Sequence, residues 1–592
     1  MAQKSRQIIA TRGEHQTSSI HKLPNELVGI ILSVSIPSAL ADPQPGSIEA
    51  HRDLLRRSRT RDYPRLLGQV CRKWRALVRR NATVWSYIHV RAACYPKSEF
   101  SPKDYEEPLA LSGKEPLTLV FVLKHMSIEK ILSSPPFAQH ISRIRMLCIH
   151  VQRLHIGEHL FPIFARTATT PTLETLRIYG INLAELPWEE KRRRTILNSA
   201  PRLTEFSMVG VWERGQDAMP LASLGRAAGI DWSRLTVLRL PDVPRWAYDL
   251  LVVVSSAPRL RAFQCTAFGE IEDDSIIEPE FKEYVSECES SDAEEAYNDS
   301  ITEEERQQAA ARARQRQKKM DILRKQRAVM GPHVLEYLEE LHLSVGHEGM
   351  ESYGDAADEE MGVVKFLEAL NTPALTKLTI SAANGLALDE SYAYDDAPTP
   401  ETLLDAQENG TDPFLLEPHL SALISRSGCI IRHLALSRVF VTLPELLSIV
   451  KLCPDIRSLH LNDALRWMRG TLINGLATRT DEDGRLLAPK LQHLVIESID
   501  QSTYAGFPIS AVLDMVDARW PAGSSDSMSG PVRVEVVHCP SDEYEEGTSK
   551  GVAQERMRSR LADTQARKDL QLVIRELERD KGLQGALETS RG

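Results

Sequence analysis

One short phrase recurs along this chain and limits what it can fold into: an apolar residue, two others, an apolar residue, one other, an apolar residue. It reads Leu173, Leu176, Ile178, then Leu203, Phe206, Met208, then Leu235, Leu238, Leu240, then Leu260, Phe263, Cys265. It returns as Leu338, Leu341, Leu343, as Leu375, Leu378, Ile380, as Ile431, Leu434, Leu436, as Ile456, Leu459, Leu461 and as Leu491, Leu494, Ile496. Ile144, Leu147, Ile149 is an earlier, plainer copy. Six copies share a proline lead-in, beginning at Thr170, Ala200, Ala257, Thr372, Cys453 and Ala488. Proline ends a preceding helix and favours extended geometry just before it. The last two apolar residues, two apart, face one side of a short strand. Stretches between copies carry helical periodicity, as in Glu445 to Leu452, where Leu446, Leu447, Ile449 and Val450 cover one face.

Copies about 25 to 37 residues apart fit one strand and one helix per unit, stacked side by side. The phrase resembles the leucine-rich repeat. That resemblance implies an α/β solenoid, a horseshoe over about 91–540. The repeat's usual asparagine is mostly missing, with Asn182 and Asn462 the nearest candidates, so the array is expected to be irregular, with long helices on its convex side. Taken one copy at a time, the phrase is a strand pattern of any ordinary α/β domain; nine or ten copies with a shared proline lead-in argue for a repeat.

Two insertions break the period. Residues 269–332 are acidic up to Glu305 and then basic, and Glu287 to Glu295 is too polar to build core, so disorder is expected there. Residues 303–330, rich in Ala, Gln, Arg and Lys, read as a solvated helix. Ser286, Ser291 and Ser300 each have an acid three residues on, which suits an acid-directed kinase; a solvated spacer is the plainer reading. Residues 382–413 read as a loop. Val532, Val534 and Val536 look like a last strand, and 541–592 a polar, partly helical tail with a charged helix over 553–583. Residues 1–20 are polar and expected to be disordered.

Residues 21–90 have another character. Leu23-Pro24-Asn25-Glu26-Leu27 opens a helix, since proline suits the first turn and Glu26 its positive end. Leu27, Ile30, Ile31 and Val34 follow at helical spacing. After an interruption, Leu67, Val70, Cys71, Trp74, Leu77 and Val78 line one face of what reads as a single helix, with Trp85 and Ile88 beyond it. The order L-P-x-E-L, V-C-R-x-W-R, V-W resembles an F-box, the small all-α module that binds the Skp-type adaptor of cullin–RING ubiquitin ligases. The chain departs from a compact box by an insertion at about 35–63. An interrupted box followed by irregular repeats is similar to the large F-box families of mushroom-forming fungi. This resemblance is loose over the whole chain and specific over residues 21–90.

What the resemblance implies is a division of labour, with the box docking to the adaptor and the repeats binding a target protein. Leu23, Pro24, Leu27, Ile30, Ile31, Val70, Cys71 and Trp74 would serve the adaptor or the box's own core. The chain itself would be catalytically silent. The alternative is a scaffold outside any ligase, whose N-terminal helices cap the array as terminal repeats must.

Composition agrees with a protein-binding role. Among the 592 residues, 72 basic against 82 acidic groups give −10, which argues against a general nucleic-acid binder. Eight cysteines are scattered without a C-x-x-C pair, which suggests a reducing compartment, cytoplasmic or nuclear. No apolar run approaches the ~20 residues of a membrane span, and the N-terminus lacks the apolar core of a secretory signal. No phosphate loop or dinucleotide turn occurs, and no cofactor is expected. Gly547-Thr548-Ser549-Lys550-Gly551 matches a nucleophile elbow in letters, but six polar residues precede it where a buried strand is needed. His150, His155 and His159 with Glu158 lack the order of a zinc site. Arginines from Arg52 to Arg80 read as a solvated or adaptor-facing patch, without the aromatics that nucleic-acid stacking would use.

Overall fold

The computed structural model describes residues 23–34, 63–91, 101–123, 131–151, 170–182, 200–211, 230–268, 333–345, 366–382, 416–437, 439, 443–462, 476, 487–498, 509–519, 532–538 and 570–576. The expected disordered N-terminus, the insertions at 35–62, 269–332 and 383–413, and Gly547 to Gly551 lie outside these residues, as do His155 and His159. The chain divides into two compact units, residues 1–181 with 185–203, and residues 182–184 with 204–592. Both belong to the α/β class, built on parallel strands.

In the first unit, helices α1 (Asn25–Val34), α2 (Tyr63–Gln69), α3 (Arg72–Arg80) and α4 (Ala82–Trp85) lead into β1 (Tyr87–Arg91). There follow α5 (Glu106–Leu111), β2 (Leu117–Leu123), α6 (Pro135–Ala138), β3 (Ile144–Val151) and β4 (Thr175–Asn182). β1 to β4 pair in chain order, all parallel. In the second unit, β5 (Glu205–Val211), β6 (Val237–Trp246), β7 (Ala262–Phe268), β9 (Glu340–Val345) and β11 (Lys377–Ala382) run parallel in that order. β12 (His433–Ser437), β13 (Ser458–Asn462), β14 (His493–Ser498), β15 (Val532–His538) and β16 (Leu570–Glu576) continue the series. β8 (His333–Val334) and β10 (Leu370–Asn371) form a separate parallel pair.

The recurring phrase is the reason for this order. In all ten copies the second and third apolar residues lie on a strand, and none of the three is more than 5% exposed. The lead-in does more than stop a helix. The carbonyls of Thr170, Ala200, Ala257, Thr372, Cys453 and Ala488 each accept the N–H three residues on, at 3.0–3.2 Å. Proline thus takes the second position of a tight turn, where its fixed φ is already correct. Each turn aims the first apolar residue into the core before the strand begins.

Helices α7 (Ala247–Ser255), α8 (Leu416–Ser427), α9 (Leu443–Leu452) and α10 (Ile509–Arg519) return the chain between strands of the second unit. They bury Leu250 and Val254, Leu420 and Leu423, Leu446 and Ile449, and Val512 and Val516. Leu447, read with that face, is only half-buried. α8 ends at Gly428, whose φ of 61° supplies the left-handed residue that such an end needs. At its start the buried Glu445 carboxylate of α9 accepts the N–H groups of Leu416 and Glu417.

Two readings of the C-terminal region need correction. Residues 570–576, read as part of a charged helix, form β16 beside β15. The alternation of Leu570, Leu572 and Ile574 outweighs the helix-forming residues around it. Val532 to Val536 do lie on a strand, but it is not the last one. Asn462 ends β13 with its Oδ1 buried and, among the described residues, without a hydrogen-bond partner.

Candidate functional site

The N-terminal helices form a small core of their own. The first hydrogen bond of α1 runs from Val28 N–H to the Pro24 carbonyl at 3.1 Å, so the helix begins at the proline as its chemistry prescribes. Val28, Trp74, Val78, Val84 and Trp85 are buried together, with Leu23, Leu67, Cys71, Leu77 and Leu111 packed around them. The Lys73 ammonium donates to the Leu23 carbonyl at 3.0 Å and ties the start of α1 to α3. Trp85 Nε1 donates to the Val78 carbonyl at 2.7 Å, which closes α4 onto the end of α3.

The single helix expected through Leu67 to Val78 is two helices. Cys71 is extended, at φ −161° and ψ 173°, and its Sγ accepts the Trp74 N–H at 3.4 Å as the N-cap of α3. Its carbonyl takes the first helical bond, from Arg75 N–H at 3.0 Å. Arg75 Nε reaches back to the Gly68 carbonyl at 3.0 Å and holds the end of α2. The break turns Val70 out to solvent instead of leaving it on the stripe with Trp74.

These helices sort the eight nominated residues. Trp74 is 7% exposed and packs in the module's own core, and Cys71 and Leu23 are half-buried at its edge. Pro24 is exposed. Leu27, Ile30, Ile31 and Val70 are between 41% and 58% exposed. On α1 the inward residue is Val28, fully buried, while Leu27, Ile30 and Ile31 form an exposed ridge beside it. Leu66, four residues before Val70, is also about half exposed and was not singled out from the sequence. Its spacing from Val70 was the available signal. Fully covering a side chain of this kind yields ~1.5–3 kcal/mol, so each of the five leaves that much to a partner that covers it.

Exposed basic groups lie on the helices that follow α1. Arg72, Arg75, Arg79 and Arg80 are exposed on α3. Arg65 on α2 pairs with Glu107 at 3.3 Å. Arg52, Arg56, Arg57, Arg59 and Arg61 lie outside the described residues.

One other constellation has the composition of a reactive site. Cys148 Sγ and His150 Nε2 on β3 are 3.1 Å apart, and His150 stacks on Tyr179 with ring centres 4.5 Å apart. The thiol is fully buried, and that burial pushes its pKa up to about 12 against the smaller opposing effect of Arg177. It stays protonated at neutral pH, and a protonated buried thiol is a poor nucleophile. Among the described residues, no three His, Cys, Asp or Glu side chains converge as a metal site, and no helix is long and apolar enough to cross a membrane. Comparison with protein-family models and with curated proteins returned no match.

Proposed function

We propose that this chain is the substrate-recognition subunit of a Skp–cullin–F-box ubiquitin ligase, with residues 21–90 as the F-box and the repeating strands as an irregular leucine-rich repeat solenoid that binds a target protein. The observation that carries the reading is the exposed ridge of Leu27, Ile30 and Ile31 beside a module whose core is otherwise closed. A docking module must leave an apolar face free for its partner, whereas a module that only caps the array would bury that face. The order of sequence signals across the module supports the same partner, a Skp-type adaptor. The ligase transfers ubiquitin through other subunits, so this chain acts by proximity, raising the effective concentration of the target near the transfer site.

The capping alternative has one feature in its favour: α4 runs into β1 through Ser86 alone, whose carbonyl accepts Thr118 N–H at 2.9 Å. Co-expression with a Skp-type adaptor separates the two. Wild-type chain should copurify with the adaptor, and the Ile30→Asp, Ile31→Asp variant should not, with its thermal melt unchanged. A folded wild-type chain that leaves the adaptor behind would reduce the module to an end cap.

A further inference from the structure

The strands of the second unit have a polar face opposite the core, and its charges are unevenly committed. Register places Lys377, His433, Ser458, His493 and Arg533 in one row across β11 to β15. One residue earlier on the chain, Arg432 and Arg457 stand side by side, joined by the Arg457 N–H to Arg432 carbonyl bond at 2.7 Å. Three of the acids nearby already have cationic partners. Glu340 pairs with Lys377 at 3.2 Å, Glu535 with Arg533 at 2.5 Å and Asp455 with Lys490, while Glu497 lies 3.4 Å from His460. Arg432 and Arg457 are exposed and their guanidinium groups make no ion pair or hydrogen bond among the described residues, although both lie near enough to Asp455 to lower its pKa. The row therefore carries an excess of positive charge, in a chain whose formal net charge is −10.

We infer that this row captures an acidic, carboxylate-rich peptide segment of the target, with Arg432 and Arg457 as the anchoring cations. The inference deepens the receptor reading, on which it rests for the identity of the occupant as a target segment. The dimensions suit an extended peptide. Lys377 to Arg533 is four strand-to-strand steps, roughly 19 Å at ~4.8 Å each, which is about six residues of extended chain. Guanidinium groups hold carboxylates in a two-pronged fashion, so two adjacent arginines recognise two acids rather than a diffuse charge.

The histidines add a proton to this recognition. Burial lowers the pKa of His433, and Lys377, Arg457 and Arg432 lower it further against Glu340. His493 is lowered by burial first and then by Arg533, with Glu535 opposing and His460 and His433 adding. Both are neutral in the empty row at pH 7. A carboxylate placed beside them favours the protonated form, so the complex takes up protons and capture tightens as pH falls below neutrality.

Fluorescence anisotropy of the full-length chain with a labelled oligoglutamate peptide tests the inference. Oligoglutamine of equal length and a single-stranded oligothymidylate of equal charge serve as comparisons. Oligoglutamate should bind, more tightly at pH 6 than at pH 8, and should weaken as salt rises. The Arg432→Ala, Arg457→Ala variant should lose roughly five- to thirty-fold in affinity with its melt unchanged. Absence of oligoglutamate binding, equal binding by the variant, or tighter binding of the oligothymidylate would each overturn the proposal. Adaptor capture measured on the same samples keeps the two readings apart. A variant that keeps the adaptor but loses the peptide supports the inference, and a wild type that binds peptide but no adaptor sinks the ligase reading alone.

Discussion

Arg519 offers a direct test of how the repeating turns are held. It closes α10, is 6% exposed, and donates from Nη1 to the carbonyls of Leu476 and Leu487 at 2.8 and 2.7 Å and from Nη2 to that of Ala488 at 2.5 Å. Burial lowers its pKa to about 10, so it remains a cation at neutral pH. Ala488 opens the turn into β14 and has φ 47°, a left-handed conformation that costs a residue with a β-carbon ~1–2 kcal/mol. An Arg519→Met change keeps the aliphatic length and removes the donors. The carbonyls of Leu476 and Leu487 then lose this donor and that of Ala488 keeps only the Leu491 N–H, at ~1–3 kcal/mol for each bond lost, and the buried cation no longer pays its desolvation, which returns several kcal/mol. The net expected loss is about 3 kcal/mol, with Arg519→Lys intermediate because one ammonium serves fewer carbonyls. Repeating structures open in segments, so native-state hydrogen exchange at β13, β14 and β15 is the measurement of choice. Their amides should exchange about 150-fold faster in the Met variant, while β1 and β2 in the same sample stay unchanged. Unaltered protection of β14 would refute the claim that Arg519 holds the turn.

Three further outcomes follow from the geometry. Val28→Asp places a charge in the closed core of the N-terminal helices and should unfold them, whereas Ile30→Asp on the exposed ridge should shift stability by no more than about 0.5 kcal/mol; circular dichroism melts of both variants decide this. Cys71→Ala should cost the module about 1 kcal/mol through loss of the α3 cap, while Cys71→Ser, which keeps an acceptor, should stay near wild type; equal losses in urea melts would show that Cys71 acts by packing alone. His342, whose pKa is lowered to about 4 by burial and then by Lys377, binds fewer protons folded than unfolded between pH 4 and 6.5. Stability should therefore fall as pH drops through that window, and His342→Gln should flatten the slope measured by urea titration at pH 7, 6, 5 and 4.

What was legible in the sequence was the part written in short-range periodicity. Leu434 and Leu436, or Leu459 and Leu461, mark a strand and its inward face by spacing alone, and they lie where that spacing puts them. In six of the ten copies the turn before the strand was legible as a proline, though its hydrogen bond was not. The N-terminal helices show the limit. Leu27, Val28, Ile30 and Ile31 make α1 apolar on both sides, and periodicity cannot say which side meets the core. Apolar spacing likewise runs unbroken from Leu67 to Val78 although the backbone breaks at Cys71, because a thiol is a rare cap and carries no signal of its own. The row of Lys377, His433, His493 and Arg533 draws on residues up to 156 positions apart and exists only once strand register is known.

Titration of a purified Skp-type adaptor into the full-length chain, followed by calorimetry, bears most directly on the central claim. The account predicts a saturable complex with the wild type and a loss of at least ~100-fold in affinity for the Ile30→Asp, Ile31→Asp variant, since two apolar contacts would be replaced by charges needing desolvation. It also predicts an unchanged melt for that variant, because neither side chain packs in the core. No heat and no complex with a folded wild-type chain, or equal affinity for the variant, would contradict it.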